Sequence, residues 1–220
     1  MNTQHKPVQL RLFLLRHGES EDNRARLFGG ARDTPLSSRG LRQSQAVSQR
    51  LSGLTLNAVY TSPAQRARVL ADLLCAGRPL TPEVCHDLRE VSFGDWEGLS
   101  YPEVHERYPG ECRRWMEDPL GFAPPKGESF LDVIARVRPL PRRFIDAATH
   151  HGRATDGSFH VAVVAHGGVL RALLVRLLAS DPSLALRLRF DNAGLSVVDL
   201  FGDTATIRCL NDTSHLTEVG

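Results

Sequence analysis

The chain has 220 residues, 41% of them hydrophobic, with 27 basic and 25 acidic side chains and a formal charge of +2. That is enough apolar matter for one sizeable core, and the length suits a single domain or a domain with a large insertion. The even charge balance excludes a nucleic-acid arm, an acidic tail or a disordered coat as the main business of the chain.

Strand-like and helix-like patterns alternate, which argues for an α/β layered domain spanning residues 1–220. Residues 10–15 are an apolar run of strand length. Within it residues 12–15, flanked by Arg11 and Arg16, are too few for a signal peptide or a membrane span. A helix is expected from Ser37 or Ser38 to Leu51, with Leu41, Ala46, Val47 and Leu51 on its apolar side and a serine as its cap. A second strand at 58–61 leads into a helix at 64–74. From 91 to 158 the character changes, with Pro102, Pro109, Pro119, Pro124 and Pro125 punctuating it and a helix resuming at 129–137. This stretch is too long for a simple connection and reads as a part-helical insertion over one edge of the sheet, where a substrate lid would sit. His150 and His151 read as loop residues. The uncharged run at 160–165 fits a strand buried on both faces. An apolar helix at 168–178 follows, and strands at 195–200 and 204–210, joined at Gly202-Asp203, close the pattern.

Cys75, Cys85, Cys112 and Cys209 are scattered, with no C-x-x-C and no histidine at ligand spacing. Reduced thiols in a cytoplasm are therefore expected, rather than a disulfide framework or a zinc site. Of the basic residues, 25 are Arg and only Lys6 and Lys126 are lysines. That preference matters where a fork of donors meets a phosphate or carboxylate.

Four segments can carry chemistry. Arg16-His17-Gly18-Glu19 ends the first strand, at the edge where α/β sheets bind ligands. An imidazole beside a fixed guanidinium is disfavoured in its charged form, so His17 is expected neutral and nucleophilic. Ala165-His166-Gly167-Gly168 repeats the arrangement at the end of another strand, and its glycines let a helix N-terminus approach an anion. Arg66 lies in the first turn of a helix, where a cation opposes the helix dipole and calls for an anion nearby; alone it would read as a solvated helical Arg. Glu90 precedes a glycine-rich loop, Phe93-Gly94-Asp95-Trp96-Glu97-Gly98. A carboxyl beside a bound phosphate has a raised pKa and can donate a proton, yet by themselves Glu90, Asp95 and Glu97 would pass for solvated charges.

Taken together, these segments resemble the histidine phosphatase, or phosphoglycerate-mutase-like, superfamily. The resemblance runs from Arg16-His17-Gly18-Glu19 through Asn23, Gly30, Asp33, Pro35-Leu36 and Gly40 to Ser62, Arg66-Ala67 and Leu88-Arg89-Glu90. It continues with Gly127-Glu128-Ser129, Arg136-Val137, Ala165-His166-Gly167-Gly168, Leu210-Asn211-Asp212 and His215-Leu216. It implies a three-layer α/β/α sandwich with a mostly parallel central sheet and a part-helical insertion over the active site. It further implies that His17 attacks phosphorus and becomes a phosphohistidine. Arg16, Arg66 and His166 would hold the equatorial oxygens, Asn23 would donate to the phosphoryl group, and Gly30 and Gly167 would line its site. Glu90 would protonate the leaving oxygen and later take a proton from water. No metal and no cofactor are implied. Leu70, where the family often has Thr, and Gly29, where a larger polar residue is common, depart from the pattern.

Within the superfamily the Phe93–Gly98 loop and the Pro124-Pro125-Lys126-Gly127-Glu128-Ser129 run resemble the phosphatase branch, including α-ribazole phosphatases and broad-specificity phosphatases. A cofactor-dependent phosphoglycerate mutase is the alternative, with Arg113-Arg114 as a carboxylate grip, and a silent protein-interaction module is a remote one. The expected partner is a small phosphorylated metabolite rather than a nucleic acid or a membrane, and a homodimer fits the family. Trp96, Tyr101, Tyr108, Trp115 and Phe122 stand either as a small core for the insertion or as stacking groups for substrate, with core the stronger reading.

Overall fold

The structure, a computed structural model, describes residues 10–150, 157–202, 204–217 and 219, with the side chains of 148–150 left aside. His151 and Asp203 fall outside the described residues.

Six strands form one sheet: β1 (Leu10–Arg16), β2 (Ala58–Thr61), β3 (Glu83–Val84), β4 (Phe159–Ala165), β5 (Leu195–Phe201) and β6 (Thr204–Asp212), in the order β3-β2-β4-β1-β5-β6. The first four are mutually parallel, and β5 and β6 run antiparallel at one edge. The helices are α1 (Glu21–Arg24), α2 (Ser38–Arg50), α3 (Gln65–Cys75), α4 (Tyr101–Arg107), α5 (Pro109–Glu117), α6 (Phe130–Val137), α7 (Leu140–His150) and α8 (Gly167–Leu177). His150 thus closes the last turn of α7 instead of lying in a loop.

Alternation along the strands builds the three layers. Leu10, Leu12 and Leu14 of β1, with Val161 and Val163 of β4, face a core completed by Val133, Val137, Leu140 and Phe144 of α6 and α7 and by the apolar side of α8. Phe13, Leu15, Ala162 and Val164 face the other way, onto Val47 of α2 and Ala67, Leu70 and Leu74 of α3. Every residue of β4 is buried, because both faces are covered. Leu70, wholly buried, packs in this second core. The resumed helix of the long middle stretch is capped by Ser129, whose hydroxyl accepts from the Asp132 amide. Both α6 and α7 lie against a face of the sheet. Only the earlier part of the stretch has a core of its own, made of Trp96, Val104, Cys112 and Phe122 with Phe28, Tyr108 and Trp115 against them. Of the five aromatics, Tyr101 alone is exposed.

Register places the chemistry. Arg16 at the end of β1 pairs with Ala165 at the end of β4, so the two His-Gly sequences leave the sheet side by side. Thr61 pairs with Val164, which sets Ser62 beside them. The strand-edge crevice of a parallel sheet is thereby furnished with two histidines and a serine.

Candidate active site

His17 is 3% exposed, and its Nδ1–H donates to the Gly18 carbonyl at 2.6 Å. A carbonyl can only accept, so the proton sits on Nδ1 and Nε2 carries the lone pair. Burial, then Arg16, then Arg66 hold the pKa of His17 well below its ordinary value, with the Gly18 contact working against them. The neutral imidazole is therefore maintained by its surroundings. The bend that frees the ring depends on close packing: a Cβ on Gly18 would lie 2.1 Å from the Gly40 carbonyl of α2.

The His166 ring stands edge-on to that of His17, 5.0 Å between centroids, and is fully buried. Its Nε2 lies 2.7 Å from the Ser62 hydroxyl, while Nδ1 is buried with no partner among the described residues. The Ser62 oxygen already accepts from the Ala64 amide. The oxygen has a second lone pair, so the contact is satisfied either with Ser62 donating to Nε2 and the ring hydrogen on Nδ1, or with Nε2–H donating to Ser62. Burial, then His17, then Arg66 and Arg16 hold His166 well below its ordinary pKa as well.

Arg16 and Arg66 are anchored through carbonyls, not carboxylates. Arg16 donates to the Phe190 carbonyl at 2.7 Å and keeps a buried Nε without a partner. Arg66 donates to the carbonyls of Arg32 and Gly30, at 2.5 and 3.0 Å. Each guanidinium has five N–H groups, so several remain. Burial, above all, pulls both below the ordinary arginine value, and Glu90 opposes it in each case. Gly30 has φ of +50°, and a Cβ there would strike the Glu97 carboxylate at 2.3 Å. Glycine at this point lets the backbone carbonyl reach Arg66.

The Glu90 carboxylate accepts from the amides of Val91, Gly168 and Val169 at 3.0, 3.2 and 3.2 Å. The backbone under it is pinned by Arg136, which donates to the carbonyls of Asp87, Arg89 and Glu90 and pairs with Glu128. A Cβ added at Gly167 would just touch the Arg16 guanidinium, at 3.6 Å. Asn23 caps its own helix, with Oδ1 accepting from the Ser20 amide and from Asn192 Nδ2. That orientation commits the oxygen and frees the amide nitrogen toward the cavity that Asn23 lines.

Arg16, His17, Asn23, Gly30, Arg66 and Glu90 thus wall a single cavity of about 180 Å³, with Gly29 also on its surface. Two contributors escaped the sequence. Asn192 donates to the carbonyls of His17 and Gly18 as well as to Asn23, tying the loop after β1 to the turn before β5. Arg171, on α8, lines a groove that continues from the cavity. Arg113 and Arg114 are exposed and line neither; the Arg114 guanidinium lies over the Phe122 ring, 5.0 Å from its centroid. All four cysteines are free. Among the described residues no group of three or more His, Cys, Asp and Glu side chains could hold a metal, and no helix is long and apolar enough to cross a membrane.

Comparison with known proteins agrees in sequence and in structure. The sequence model described as histidine phosphatase superfamily (branch 1) matches residues 12–213. A bifunctional protein of Mycobacterium tuberculosis is 37% identical over 210 residues, which cover 94% of this chain and 55% of the relative. The chain therefore spans about half the length of the first curated relatives it matches. Phosphoserine phosphatase 1 of Hydrogenobacter thermophilus is 34% identical over 211 residues, 95% of each protein. The crystal structure of the α-ribazole phosphatase from Shigella flexneri superposes with a TM-score of 0.83 at 30% identity, covering 92% of this chain and 96% of the other.

Proposed function

The chain belongs to branch 1 of the histidine phosphatase superfamily, and from that premise we propose that it hydrolyses small phosphomonoesters through a phosphohistidine, without a metal. The observation that carries this reading is the His17 ring, its Nδ1–H tied to the Gly18 carbonyl and its Nε2 lone pair free in a cavity walled by Arg16 and Arg66.

The phosphoryl group enters with its equatorial oxygens on Arg16, Arg66, the Asn23 amide and the Nδ1–H of His166. These donors are in place before charge shifts in the transition state. His17 Nε2 forms a bond to phosphorus as the bond from phosphorus to the ester oxygen breaks, and Glu90 gives that oxygen its proton. The ring becomes cationic, and the Gly18 carbonyl at Nδ1–H stabilises it. Glu90, now a carboxylate, takes a proton from water. The hydroxide attacks phosphorus, the bond to Nε2 breaks, and inorganic phosphate leaves with His17 neutral again. The two arginines supply the positive charge that other phosphoryl-transfer enzymes take from magnesium. The solved α-ribazole phosphatase makes α-ribazole 5′-phosphate one ester to try, and the four free cysteines support a reducing, cytoplasmic setting. Against the mutase reading stands the placement of Arg113 and Arg114 outside the cavity.

The test is phosphate release in EDTA from a panel of phosphomonoesters, with the enzyme quenched in alkali during turnover. Release without metal, and an alkali-stable, acid-labile phosphoryl group on His17 that His17→Ala lacks, are expected. Conversion of 3-phosphoglycerate to its isomer without phosphate release would hand the site to the mutase. Inactivity towards every ester would overturn the reading.

A further inference from the structure

Beyond the phosphoryl cavity the site continues into a groove of about 270 Å³, and the two share Arg16, Glu90 and Phe93. Here the alcohol half of an ester bound at His17 would lie. Its walls are largely apolar, among them Trp115, Phe122, Phe130 and Leu186, but four ionisable side chains also reach it: Arg16, Glu90, Glu128 and Arg171. Three of these already hold partners within the protein, and Arg16 and Glu90 are further assigned to the phosphoryl group in the reading above. Arg16 is bound to the Phe190 carbonyl, Glu90 to three amides, and Glu128 to Arg89 and Arg136. Arg171 is not. Its Nε is buried without a partner, and no carboxylate or carbonyl among the described residues meets its guanidinium.

Arg171 is half-buried, and its shielded Nε is left without the hydrogen bond that a buried polar group calls for. It also stands close enough to Arg16 to repel it. Its position on the helix is informative. Arg171 follows Gly167 by four residues, one turn further along α8, and helical side chains lean back toward the N-terminus. A turn rises about 5.4 Å, which sets Arg171 one turn beyond Gly167, along the groove that both residues line.

We propose that Arg171 takes a second anionic group, a carboxylate or a further phosphate, on the alcohol half of the substrate, so that the preferred esters are those of small acids. This rests on the phosphatase reading above, because it assumes that phosphorus sits at His17. Arg171 is then a specificity-determining residue and plays no part in the bond changes.

The experiment compares matched pairs of esters. For a carboxylate the pair is 3-phosphoglycerate and glycerol 3-phosphate; for a phosphate it is fructose 1,6-bisphosphate and fructose 6-phosphate. In the wild type the anionic member of at least one pair is expected to have the higher kcat/KM, by about tenfold, the scale of one charge-assisted hydrogen bond. Arg171→Met is expected to bring that ratio near one, chiefly through KM, and Arg171→Lys to keep part of it. The pair that responds identifies the anion. Equal rates within both pairs, a preference for the neutral α-ribazole 5′-phosphate over both anionic esters, or an Arg171→Met variant that slows both members alike would overturn the proposal. Calorimetric binding of the intact esters to His17→Ala, with and without Arg171→Met, separates the two readings. A charge preference that vanishes with Arg171 would stand even if no ester were turned over, whereas equal binding would sink it even if hydrolysis were brisk.

Discussion

The Ser62 hydroxyl lies 2.7 Å from His166 Nε2, so the residue that follows β2 holds the ring that follows β4. In the reading proposed above Ser62 donates to Nε2 and the ring offers Nδ1–H to a phosphoryl oxygen; without that hydroxyl the proton of the neutral ring is free to settle on either nitrogen, and that donor is lost part of the time. Ser62→Ala is therefore expected to lower kcat by about tenfold with a smaller change in KM, the scale of one buried hydrogen bond left unmade. Ser62→Thr, which restores the hydroxyl, is expected to recover part of the rate. Steady-state kinetics of the two variants decide it: a Ser62→Ala enzyme as fast as the wild type would show that His166 does not depend on this contact.

Gly168 is the second point of leverage. A Cβ there would sit 2.6 Å from Glu90 Oε1 and 2.5 Å from Val91 Cγ2, whereas at Gly167 the nearest atom, in the Arg16 guanidinium, is 3.6 Å away. Gly168→Ala must push Glu90 off the amides of Gly168 and Val169. We expect a loss of stability of about 1–3 kcal/mol from overpacking and a much larger loss of turnover, because the proposed proton donor is displaced. Gly167→Ala is expected to be mild in both. Parallel urea unfolding and rate measurements on the two variants test the contrast, and equal damage from both would contradict it.

Trp96 couples the packing of the covering segment to the site. It is wholly buried, with ring centroids 5.7 Å from Phe28, 5.9 Å from Trp115 and 6.1 Å from Phe122. Phe28 lines the phosphoryl cavity, and Trp115 and Phe122 line the groove. Trp96→Ala is expected to cost about 3–5 kcal/mol and to raise KM for every ester, since three lining rings lose their support. The indole Nε1 has no hydrogen-bond partner among the described residues, so Trp96→Phe gives up packing alone and is expected to be far gentler. Unfolding midpoints and KM values for both variants are the check.

What could be read in advance follows physical rules, and so do the omissions. β1, β2 and β4 announce themselves through mostly apolar runs of strand length, α3 through Ala67, Leu70, Ala71 and Leu74 at helical spacing, and Ser37 and Ser129 mark helix starts by their capping hydroxyls. β3 gives no such signal: its two residues, Glu83 and Val84, are both exposed at the sheet edge. Its pairing is set by β2, not by burial. In the site, His17, Arg16 and Glu90 are legible because short motifs bind their chemistry to a strand end or a loop. Asn192 and Arg171 are not, since a turn asparagine and a lone arginine within an apolar helix have many ordinary explanations. The β1–β5 pairing brings Asn192 to the phosphoryl end, and the direction of α8 brings Arg171 there. The arginine pair at 113–114 shows the converse: a suggestive sequence whose side chains are exposed outside the cavity.

The two buried histidines also set how stability responds to acid. His17 and His166 are both held well below their ordinary pKa by burial first, His17 then by Arg16 and Arg66, and His166 then by His17 and the arginines. In the unfolded chain each titrates near 6.5. Above that value neither state is protonated, and the fold keeps its full stability. As pH falls through it, the unfolded chain takes up protons that the folded chain refuses, so stability drops by up to about 1.4 kcal/mol per histidine per pH unit. His215, half-buried and also lowered, adds a smaller share. Urea unfolding across roughly pH 8 to 5 is therefore expected to show a slope that sets in near 6.5 and approaches two protons. His166→Asn removes one of those protons, and the slope of that variant is expected to be about one proton shallower. A wild-type stability that stays level over this range would mean that the folded histidines accept protons as readily as unfolded ones, and the neutral nucleophile would lose its physical basis.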